Sequence, residues 1–396
     1  MLRTLKWLAW LSGTAIVLVL AAVVFGGRDP DWNGTVLLRW DPERRVLEWM
    51  QRPRMAQDGP YVFRDAHGYT VVETVLSGDA WRLQMLHLPA QPLPTITVRV
   101  GNAADTRFDV PLRPPAHAQR ADDPDNPPRL LMLSDMEGQF DRFVALLRAQ
   151  GVIDAGLHWT YGRSHIALVG DLVDRGEQVV PLLWLIYRLE GEAGRAGGRV
   201  HYVLGNHEQM DLAGNMESWP ERMRATAQAL KGGSKQMFSG ASVLGQWLRS
   251  KPVIARVGDH LLVHGGVSAG FLRADLSVDA ANALARPYLH SRRVLMPARV
   301  QAVLGRAGVT RYRGLATPDA RLEEDPVAHL RQVARRYGVR RLAIGHTIAP
   351  DIVLQHRGLL LRLDVHHKTQ VPQAALYAGG RLWRVYADGR PPVQLH

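Results

Sequence analysis

The 396-residue sequence contains no cysteine. This absence excludes disulfide bonds, thiolate nucleophiles and zinc sites built on thiolates. Any metal ion that the chain binds must therefore be held by nitrogen and oxygen atoms. A chain without cysteine is compatible with a location outside the cytoplasm but does not establish one.

The sequence also lacks low-complexity tracts and uninterrupted runs of basic residues. Hydrophobic residues make up 46% of the chain and charged residues 22%, which is typical of a globular protein. The net charge of +12 comes mainly from scattered arginines without interleaved aromatic residues, so it indicates a solvated basic surface rather than nucleic-acid binding. A chain of this length is expected to form two folded units.

One long apolar segment, residues 7–25, has no charged side chain and follows Arg3 and Lys6. As a helix it would span about 28 Å, close to the thickness of a bilayer core. A cleaved signal peptide is the alternative, but the segment ends in VVFGG, which is a poor cleavage site. We therefore predict that residues 1–28 form a single-pass inner-membrane anchor, with the rest of the chain in the periplasm of a Gram-negative bacterium.

Short β-type runs separated by turn residues fill residues 29–110. They are TVLLRW, RVLEWM, GYTVVETV, AWRLQMLHL and TITVRV. This spacing predicts a small all-β domain, a β-sandwich that serves as a spacer or binding module. Residues 111–128 contain six prolines and few apolar residues, which predicts a stiff linker and a domain boundary near residue 128.

From residue 129 to residue 396, strand patterns alternate with helix patterns. RLLML precedes an amphipathic run at 140–147, HIALV precedes VVPLLWLIYRL, and RVHYVL, HLLV and RLAI are further strand candidates. The alternation predicts a layered α/β domain. In such domains functional residues collect beyond the carboxyl ends of the strands.

Five of these strand ends carry Asp, Glu, Asn or His beside glycine. They are LSDMEG at 133–138, VGDLVDRG at 169–176, LGNHE at 204–208, VHGG at 263–266 and IGHT at 344–347. One such loop is ordinary turn chemistry. Five in succession predict a centre for two divalent cations, because a cation pair needs a bridging carboxylate with further nitrogen and oxygen ligands, and can activate water against a phosphate ester.

These motifs resemble those of the calcineurin-like metallophosphoesterases. GDLVDRG with GNHE and VHGG resembles the phosphoprotein phosphatase branch, and the bacterial Shewanella-like phosphatases in particular. The similarity covers roughly residues 129–366. It implies an α/β (α+β layered) metallophosphoesterase β-sandwich flanked by helices, here preceded by the transmembrane helix and the small all-β domain.

The resemblance implies a role for each matched residue. Asp171 would bridge two metal ions, Asp135 would ligate the first, and the second would be held by Asn206, His264 and His346. His207 would be the general acid, with Asp174 orienting its ring. Arg175 would bind the phosphate, and Arg313 in TRYRGL would face it, unless Arg313 is an ordinary surface arginine.

The first motif departs from the family pattern Asp-x-His-Gly, because Glu137 stands in the place of the histidine. Glu137 can ligate the first metal, which would favour Mn²⁺, Fe²⁺ or Mg²⁺ over softer ions, with Zn²⁺ kept as an alternative. Alternatively His366 or His367 supplies the missing nitrogen, or the first site is weakened. We predict Glu137 as a ligand and two divalent ions, Mn²⁺ in the first place.

The sequence thus predicts a membrane-anchored metal-dependent phosphatase that acts on a phosphorylated protein or a small phosphate monoester. One alternative is hydrolysis of a phosphodiester or a dinucleoside polyphosphate by the same centre. Another is an envelope protein that binds a phosphorylated ligand without catalysis, which Glu137 would explain. His165, His201 and His260 precede strands or lie in a turn, and we expect them to be structural.

Overall fold

A computed structural model describes residues 36–41, 46–51, 55–115, 117–291, 296–316 and 325–396. The chain divides into a short unit, Met1–Met55, and a compact unit, Ala56–His396. In the short unit, β1 (Val36–Asp41) pairs antiparallel with β2 (Val46–Gln51). The predicted membrane segment, residues 7–25, lies outside the described residues and stays a prediction. Within the described ranges, we find no helix with both the length and the hydropathy that a bilayer crossing requires.

The compact unit begins with two small antiparallel sheets. One contains β3 (Asp58–Arg64), β4 (Gly68–Ser77) and β5 (Ala80–Pro89), and the other contains β6 (Thr95–Arg99) and β7 (Arg107–Pro111). The runs predicted as strands in this region are strands. The strands β3 and β7 were not predicted.

The first large sheet has the strand order β11-β10-β9-β17-β18-β19. Its members are β9 (Arg129–Leu133), β10 (His165–Val169), β11 (Arg199–Val203), β17 (Gln373–Ala378), β18 (Arg381–Tyr386) and β19 (Val393–Leu395). The strands β9, β10 and β11 run parallel, and β17 joins β9 antiparallel. Residues 130–133 are all fully buried, as expected for strands covered on both faces.

The second large sheet has the order β15-β16-β14-β13-β12-β8. Its members are β8 (Asp122–Asp123), β12 (Ile254–Val257), β13 (His260–Val263), β14 (Arg341–Ile344), β15 (Val353–Gln355) and β16 (Leu360–Arg362). Side chains from both large sheets belong to one buried apolar cluster. The predicted layered α/β class is therefore confirmed.

Helices flank and connect the sheets. They are α1 (Phe140–Ala149), α2 (Val179–Arg195), α3 (Asn206–Leu212), α4 (Glu221–Ala229), α5 (Gly233–Met237), α6 (Val243–Arg249), α7 (Ala269–Arg273), α8 (Val278–Ala285), α9 (Ala298–Leu304) and α10 (Pro326–Tyr337), with a 3₁₀ turn at Arg286–Tyr288. The two helices predicted at 140–147 and in VVPLLWLIYRL correspond to α1 and α2.

The predicted separation of residues 29–110 from the rest is corrected by the structure, because the compact unit begins at Ala56. Trp184 in α2 donates its indole N–H to the carbonyl of Pro60 in β3 at 2.8 Å. Phe108 in β7 stacks on Phe140 in α1 with ring centroids 5.9 Å apart. The early strands therefore complete the same core as the later domain.

The proline-rich segment 111–128 is not a free linker. The backbone N–H of Arg113 donates to the hydroxyl of Tyr187 at 2.8 Å, and the Arg113 guanidinium pairs with Glu190 at 2.8 Å. Further along, Asp122 and Asp123 form β8 at the edge of the second large sheet. These bonds attach the segment to the sandwich, and composition alone could not reveal them.

Candidate active site and metal centre

The five polar loops predicted from the sequence meet at one edge of the sandwich. The backbone N–H of Asp135 donates to the carbonyl of Gly170 at 3.0 Å, and that of His207 donates to Asp171 Oδ1 at 3.0 Å. The backbone N–H of His346 donates to Asp135 Oδ2 at 3.1 Å. Residues separated by more than 200 positions in the chain thus share one small volume.

Three predicted metal ligands form a compact group. Asp171, His264 and His346 each offer one ligand atom, and these atoms lie within 4.8 Å of one another. His264 is fully buried, and its Nδ1 lies 2.8 Å from the carbonyl of Val169. That carbonyl can only accept a hydrogen bond, so Nδ1 carries a proton and Nε2, 2.9 Å from Asp171 Oδ2, is the atom that can ligate a metal ion.

Two buried polar atoms at this centre have no hydrogen-bond partner. They are Asn206 Oδ1 and His264 Nε2, which is close to Asp171 without hydrogen-bond geometry. An unpartnered polar atom inside a protein is energetically unfavourable, by about 1–3 kcal/mol. An amide oxygen and an imidazole nitrogen are both common ligands of divalent cations, so the donor set fits the metal ions that the motifs predict.

Two further carboxylates face this centre, and one of them was not predicted. Asp135 is buried, and burial raises its pKa well above the usual value, with the negative charge of Asp364 acting in the same direction. Burial raises the pKa of Asp364 itself to about 7, against the opposing charge of His264. Asp364 follows the strand β16 in LDVHHK, where the sequence drew attention to the histidines instead.

Glu137 lies beside Arg175, and the two side chains form an ion pair. It is not a member of the compact group around Asp171. Its role as a metal ligand therefore stays a prediction. Of the two histidines considered in its place, His366 is exposed, and His367 is buried with its pKa lowered by burial to about 4. Neither belongs to the compact group.

The predicted acid, His207, is attached to its predicted partner. His207 Nδ1 lies 2.5 Å from Asp174 Oδ2, and Asp174 is fully buried. Burial alone would lower the pKa of His207, but the bond to Asp174 and the charge of Asp171 outweigh it, so the pKa is raised. His207 Nε2 lies 3.1 Å from an Arg175 nitrogen and 3.8 Å from Asp171 Oδ2.

The other predicted arginine, Arg313, lies at the IGHT loop. Its guanidinium donates to the carbonyl of His346 at 2.5 Å and to the hydroxyl of Thr347 at 3.2 Å. Arg313 is exposed, whereas the residues that it contacts border the metal group. Arg175 and Arg313 therefore approach the centre from two different loops.

A buried carboxylate that was not predicted, Glu208, fixes the loop of Asp171. Its oxygens accept hydrogen bonds from the backbone N–H groups of Asp171 at 3.0 Å, Leu172 at 2.8 Å and Gly205 at 2.7 Å, and from the Tyr202 hydroxyl at 2.9 Å. The sequence displays this residue as the last letter of GNHE, but two of its four partners, Asp171 and Leu172, come from a distant segment.

Behind Asp174 lies another unpredicted carboxyl group, that of Asp211. Trp219 Nε1 donates to Asp211 Oδ1 at 2.5 Å. Burial raises the pKa of Asp211 well above its usual value, and the charge of Asp174 adds to the effect. A protonated Asp211 can donate a hydrogen bond, and both Asp174 Oδ1 and Asp211 Oδ2 lack any other partner.

The loops adopt unusual backbone conformations. Six of the predicted site residues have positive φ, namely Asp135 (55°), Glu137 (45°), Asp171 (54°), Asp174 (71°), Arg175 (56°) and His346 (65°). Such strain concentrates at functional sites. Gly205 shows how tightly the loops pack, because a Cβ there would lie 2.1 Å from Asp171 Oδ1.

Comparison with known proteins agrees with this geometry. The model of the calcineurin-like phosphoesterase family matches residues 128–350. A structure described as a cold-active protein-tyrosine phosphatase of a psychrophilic Shewanella species superposes with a TM-score of 0.75 at 27% identity, covering 86% of this chain and all of that chain.

Two curated proteins match shorter stretches. Shewanella-like protein phosphatase 2 of Arabidopsis thaliana is 34% identical over 91 residues, which is 23% of this chain and 23% of that protein. The symmetrical bis(5'-nucleosyl)-tetraphosphatase of Neisseria meningitidis is 32% identical over 136 residues, 34% of this chain and 42% of that protein. The alignments thus span less than half the length of either relative.

Proposed function

Because the chain belongs to the calcineurin-like phosphoesterase family, we propose that it is a metal-dependent phosphatase that hydrolyses phosphate monoesters. The family resemblance predicted from the motifs is confirmed. One observation carries the finer proposal, namely that the group formed by Asp171, His264 and His346 lies directly beside the His207–Asp174 pair. Cation ligands and a proton donor within one buried volume are what ester hydrolysis requires.

The cations would be held by Asp171, Asn206, His264 and His346, with Asp135 and either Glu137 or Asp364 on the side where the family histidine is missing. When bound, two divalent cations, Mn²⁺ in the first place, supply the charge that activates a water molecule and offsets the charge of the phosphate. Glu208 and Gly205 keep the backbone of Asp171 in place for this task.

His207 is the residue that gives a proton to the departing alcohol. Its Nδ1 is held by Asp174, so Nε2 is the atom that faces the substrate. The raised pKa keeps the ring protonated at neutral pH more than in an ordinary histidine, which suits a general acid. Asp211, with its proton directed to Asp174, holds that carboxylate in its orientation.

Arg175 and Arg313 bind the phosphate oxygens. A guanidinium group presents paired N–H donors that match the geometry of a phosphate. Glu137 holds Arg175 next to His207, so the arginine and the acid reach the same ester. The substrates would be phosphorylated proteins or small phosphate monoesters.

The Neisseria relative supports a second candidate, hydrolysis of a dinucleoside polyphosphate or another diester by the same centre. Parallel assays with p-nitrophenyl phosphate and bis-p-nitrophenyl phosphate distinguish the two candidates. A preference for the diester would overturn the monoester proposal and leave the metal centre in place.

The main test measures bound Mn²⁺ and p-nitrophenyl phosphate turnover in the full-length chain. We expect Asp171→Asn to lose both metal and turnover. His207→Asn is expected to keep its metal and to lose turnover by roughly 10²- to 10⁴-fold, as for removal of a general acid. His158→Asn, at an exposed position, serves as the control and should behave as the unaltered protein.

Full metal occupancy without turnover of any phosphate ester, in the unaltered protein and after Glu137→His, would contradict the enzymatic proposal. It would favour a protein that binds a phosphorylated ligand without hydrolysing it.

We also propose that residues 7–25 anchor the chain in the inner membrane, with the catalytic unit in the periplasm. The support is the uncharged 19-residue segment after Arg3 and Lys6. Extraction of membranes with alkaline carbonate tests the anchor, and protease added to spheroplasts tests the location of the catalytic unit. Release of the chain by carbonate would contradict the anchor. Resistance of the catalytic unit to the added protease would contradict its periplasmic location.

A further inference from the structure

A second cluster of metal-ligating side chains lies away from the active centre. Asp123, His165 and His201 each offer one ligand atom, and these atoms lie within 4.8 Å of one another. His165 is the first residue of β10, whereas Asp171 lies two residues beyond the last residue of that strand, Val169. The five residues of β10 span about 16 Å, so the cluster is at the opposite end of the sheet.

The strand register explains why these side chains meet. In the pairing of β10 with β11, Ala167 is opposite His201, and His165 lies two residues before Ala167. Side chains alternate between the faces of a sheet, so His165 and His201 project from the same face. Asp123 belongs to β8 in the other large sheet, where it pairs with Val257. The cluster therefore takes its members from both sheets of the sandwich.

The geometry of the two rings suits one bound cation. His201 Nε2 lies 3.0 Å from His165 Nδ1. Two imidazole nitrogens that ligate one Zn²⁺ tetrahedrally at roughly 2.1 Å are about 3.4 Å apart, so the two rings would have to separate by only about 0.4 Å.

A route to solvent exists on one side of the cluster. His201 and Asp123 are buried, with 3% and 7% of their surface exposed, and His165 is half-buried. Asp123 and His165 line a cavity of about 290 Å³ together with Asp125, Asn126 and Arg163. This cavity has room for the water molecules that would complete the coordination of a cation with three protein ligands.

Arg199 is the group that competes with a cation. Its guanidinium lies 2.8 Å from Asp123 Oδ2, and 44% of its side chain is exposed. The guanidinium neutralises Asp123 when no cation is bound, and its exposure allows it to turn into solvent. The two imidazoles can likewise share one hydrogen bond, which is the structural role expected for them from the sequence.

We propose that Asp123, His165 and His201 form a second metal site, which binds one Zn²⁺-like transition-metal ion and connects the edges of the two large sheets. Two nitrogens and one carboxylate oxygen, with water in the remaining position, form a donor set that such ions accept. Because the site links separate sheets, bound metal stabilises the folded protein against unfolding.

The test uses the full-length chain carrying Asp171→Asn, which removes the bridging ligand of the active centre. Zn²⁺ binding is measured by equilibrium dialysis, and Co²⁺ binding by its visible absorption and by the rise in melting temperature. We expect His165→Gln and Asp123→Asn each to remove one equivalent of bound metal and the metal-dependent rise in melting temperature. His67→Gln, at an exposed position outside the cluster, is the matched control and should retain both.

A gain of affinity provides the second arm, which misfolding cannot imitate. Arg199→Gln removes the competing guanidinium and is expected to tighten Zn²⁺ binding several-fold. The proposal would be overturned if the protein bound as much metal with His165→Gln or Asp123→Asn as with the unaltered cluster. The two histidines would then be only a hydrogen-bonded imidazole pair. An Arg199→Gln variant with unchanged affinity would also overturn the proposal. If metal were lost only from the active centre, the result would count against the proposed phosphatase and would leave the proposal for this second site unaffected.

Discussion

His260 is the first residue of β13 and His264 directly follows its last residue, and both are fully buried. Burial alone disfavours the charged form of each ring. At His260, burial and the positive charge of Arg341 lower the pKa to about 3. At His264, the carboxylates of Asp171 and Asp135 overcome burial and raise the pKa to about 10. The comparison teaches that burial keeps a histidine neutral beside an arginine, and that neighbouring carboxylates can outweigh the same burial.

The same contrast separates the two edges of the sandwich. Beyond the carboxyl ends of the strands, buried carboxylates crowd together and the backbone is strained at Asp135, Asp171 and His346. At the amino ends, acidic groups are fewer and paired with arginine, as Asp122 is with Arg256 and Asp123 with Arg199. The concentrated negative charge beyond the carboxyl ends attracts cations. At the amino ends the arginines neutralise the carboxylates, so the side chains there have structural roles or bind a single ion.

The largest effect is expected from Gly205→Ala, which disturbs the packing of the loops beyond the carboxyl ends of the strands. The new methyl group would meet Asp171 Oδ1 at 2.1 Å, so that the carboxylate must move. We expect phosphatase turnover (kcat/KM) to fall by about 10²-fold, because misplacing a catalytic group by about 1 Å has this effect. Gly194→Ala in α2 is the control, since a Cβ there has no neighbour within 4 Å. Equal turnover in the two variants would refute the tight packing around Asp171.

A smaller effect is expected at the amino ends of the strands, where His260 should make the stability of the protein depend on pH. Below pH 6.5 the unfolded chain protonates His260 while the folded protein, with a pKa of about 3 at this residue, does not, so stability falls as the pH drops from 6.5 towards 3. At pH 5.0 this residue alone should lower the free energy of unfolding by about 2 kcal/mol relative to pH 7.5. His260→Gln should remove that part of the loss.

Urea unfolding at the two pH values measures the effect. Exposed His67→Gln is the control and should leave the loss of stability unchanged. If His260→Gln showed the same loss between pH 7.5 and 5.0 as the unaltered protein, His260 would have to be charged in the folded state, and the contrast with His264 would disappear.

The smallest expected effect concerns the compensated charges. Arg256 pairs with Asp122 at 2.5 Å, and both side chains are partly exposed. Arg256→Gln should change the free energy of unfolding by less than about 1 kcal/mol, because partly exposed ion pairs contribute little. Turnover should not change, as the pair is at the edge remote from the active centre. A marked loss of turnover would show that the two edges are coupled.

The sequence predicted most of the strands that position the active centre. RLLML, HIALV and RVHYVL are short apolar runs that end in polar residues beside glycine, and they form β9, β10 and β11. The same local pattern placed Asp171, Asn206, His264 and His346 at one edge. It succeeds because parallel strands present their carboxyl ends on the same side.

The residues that the sequence missed depend on distant partners. Glu208 belongs to the motif GNHE, but its structural role could not be read from it. That role depends on the hydrogen bonds that it accepts from Asp171, Leu172 and Tyr202 in the folded chain. Asp211 lies in a stretch without a distinctive pattern, and Asp364 stands just before the two histidines that drew attention in its place. Composition misled in one place, since a proline-rich segment is usually a linker, but Arg113 and its bonds to α2 attach this one to the core.

The strand order has a consequence for the newly made chain. The strand β9, which leads into Asp135, pairs on one side with β10 and on the other with β17, where Met132 is opposite Ala375. Until the ribosome has released β17, that side of β9 is an open edge that can pair with another nascent polypeptide. We therefore expect the first large sheet to close only after β17 has emerged, and chaperones that shield unpaired strands to raise the yield of folded protein.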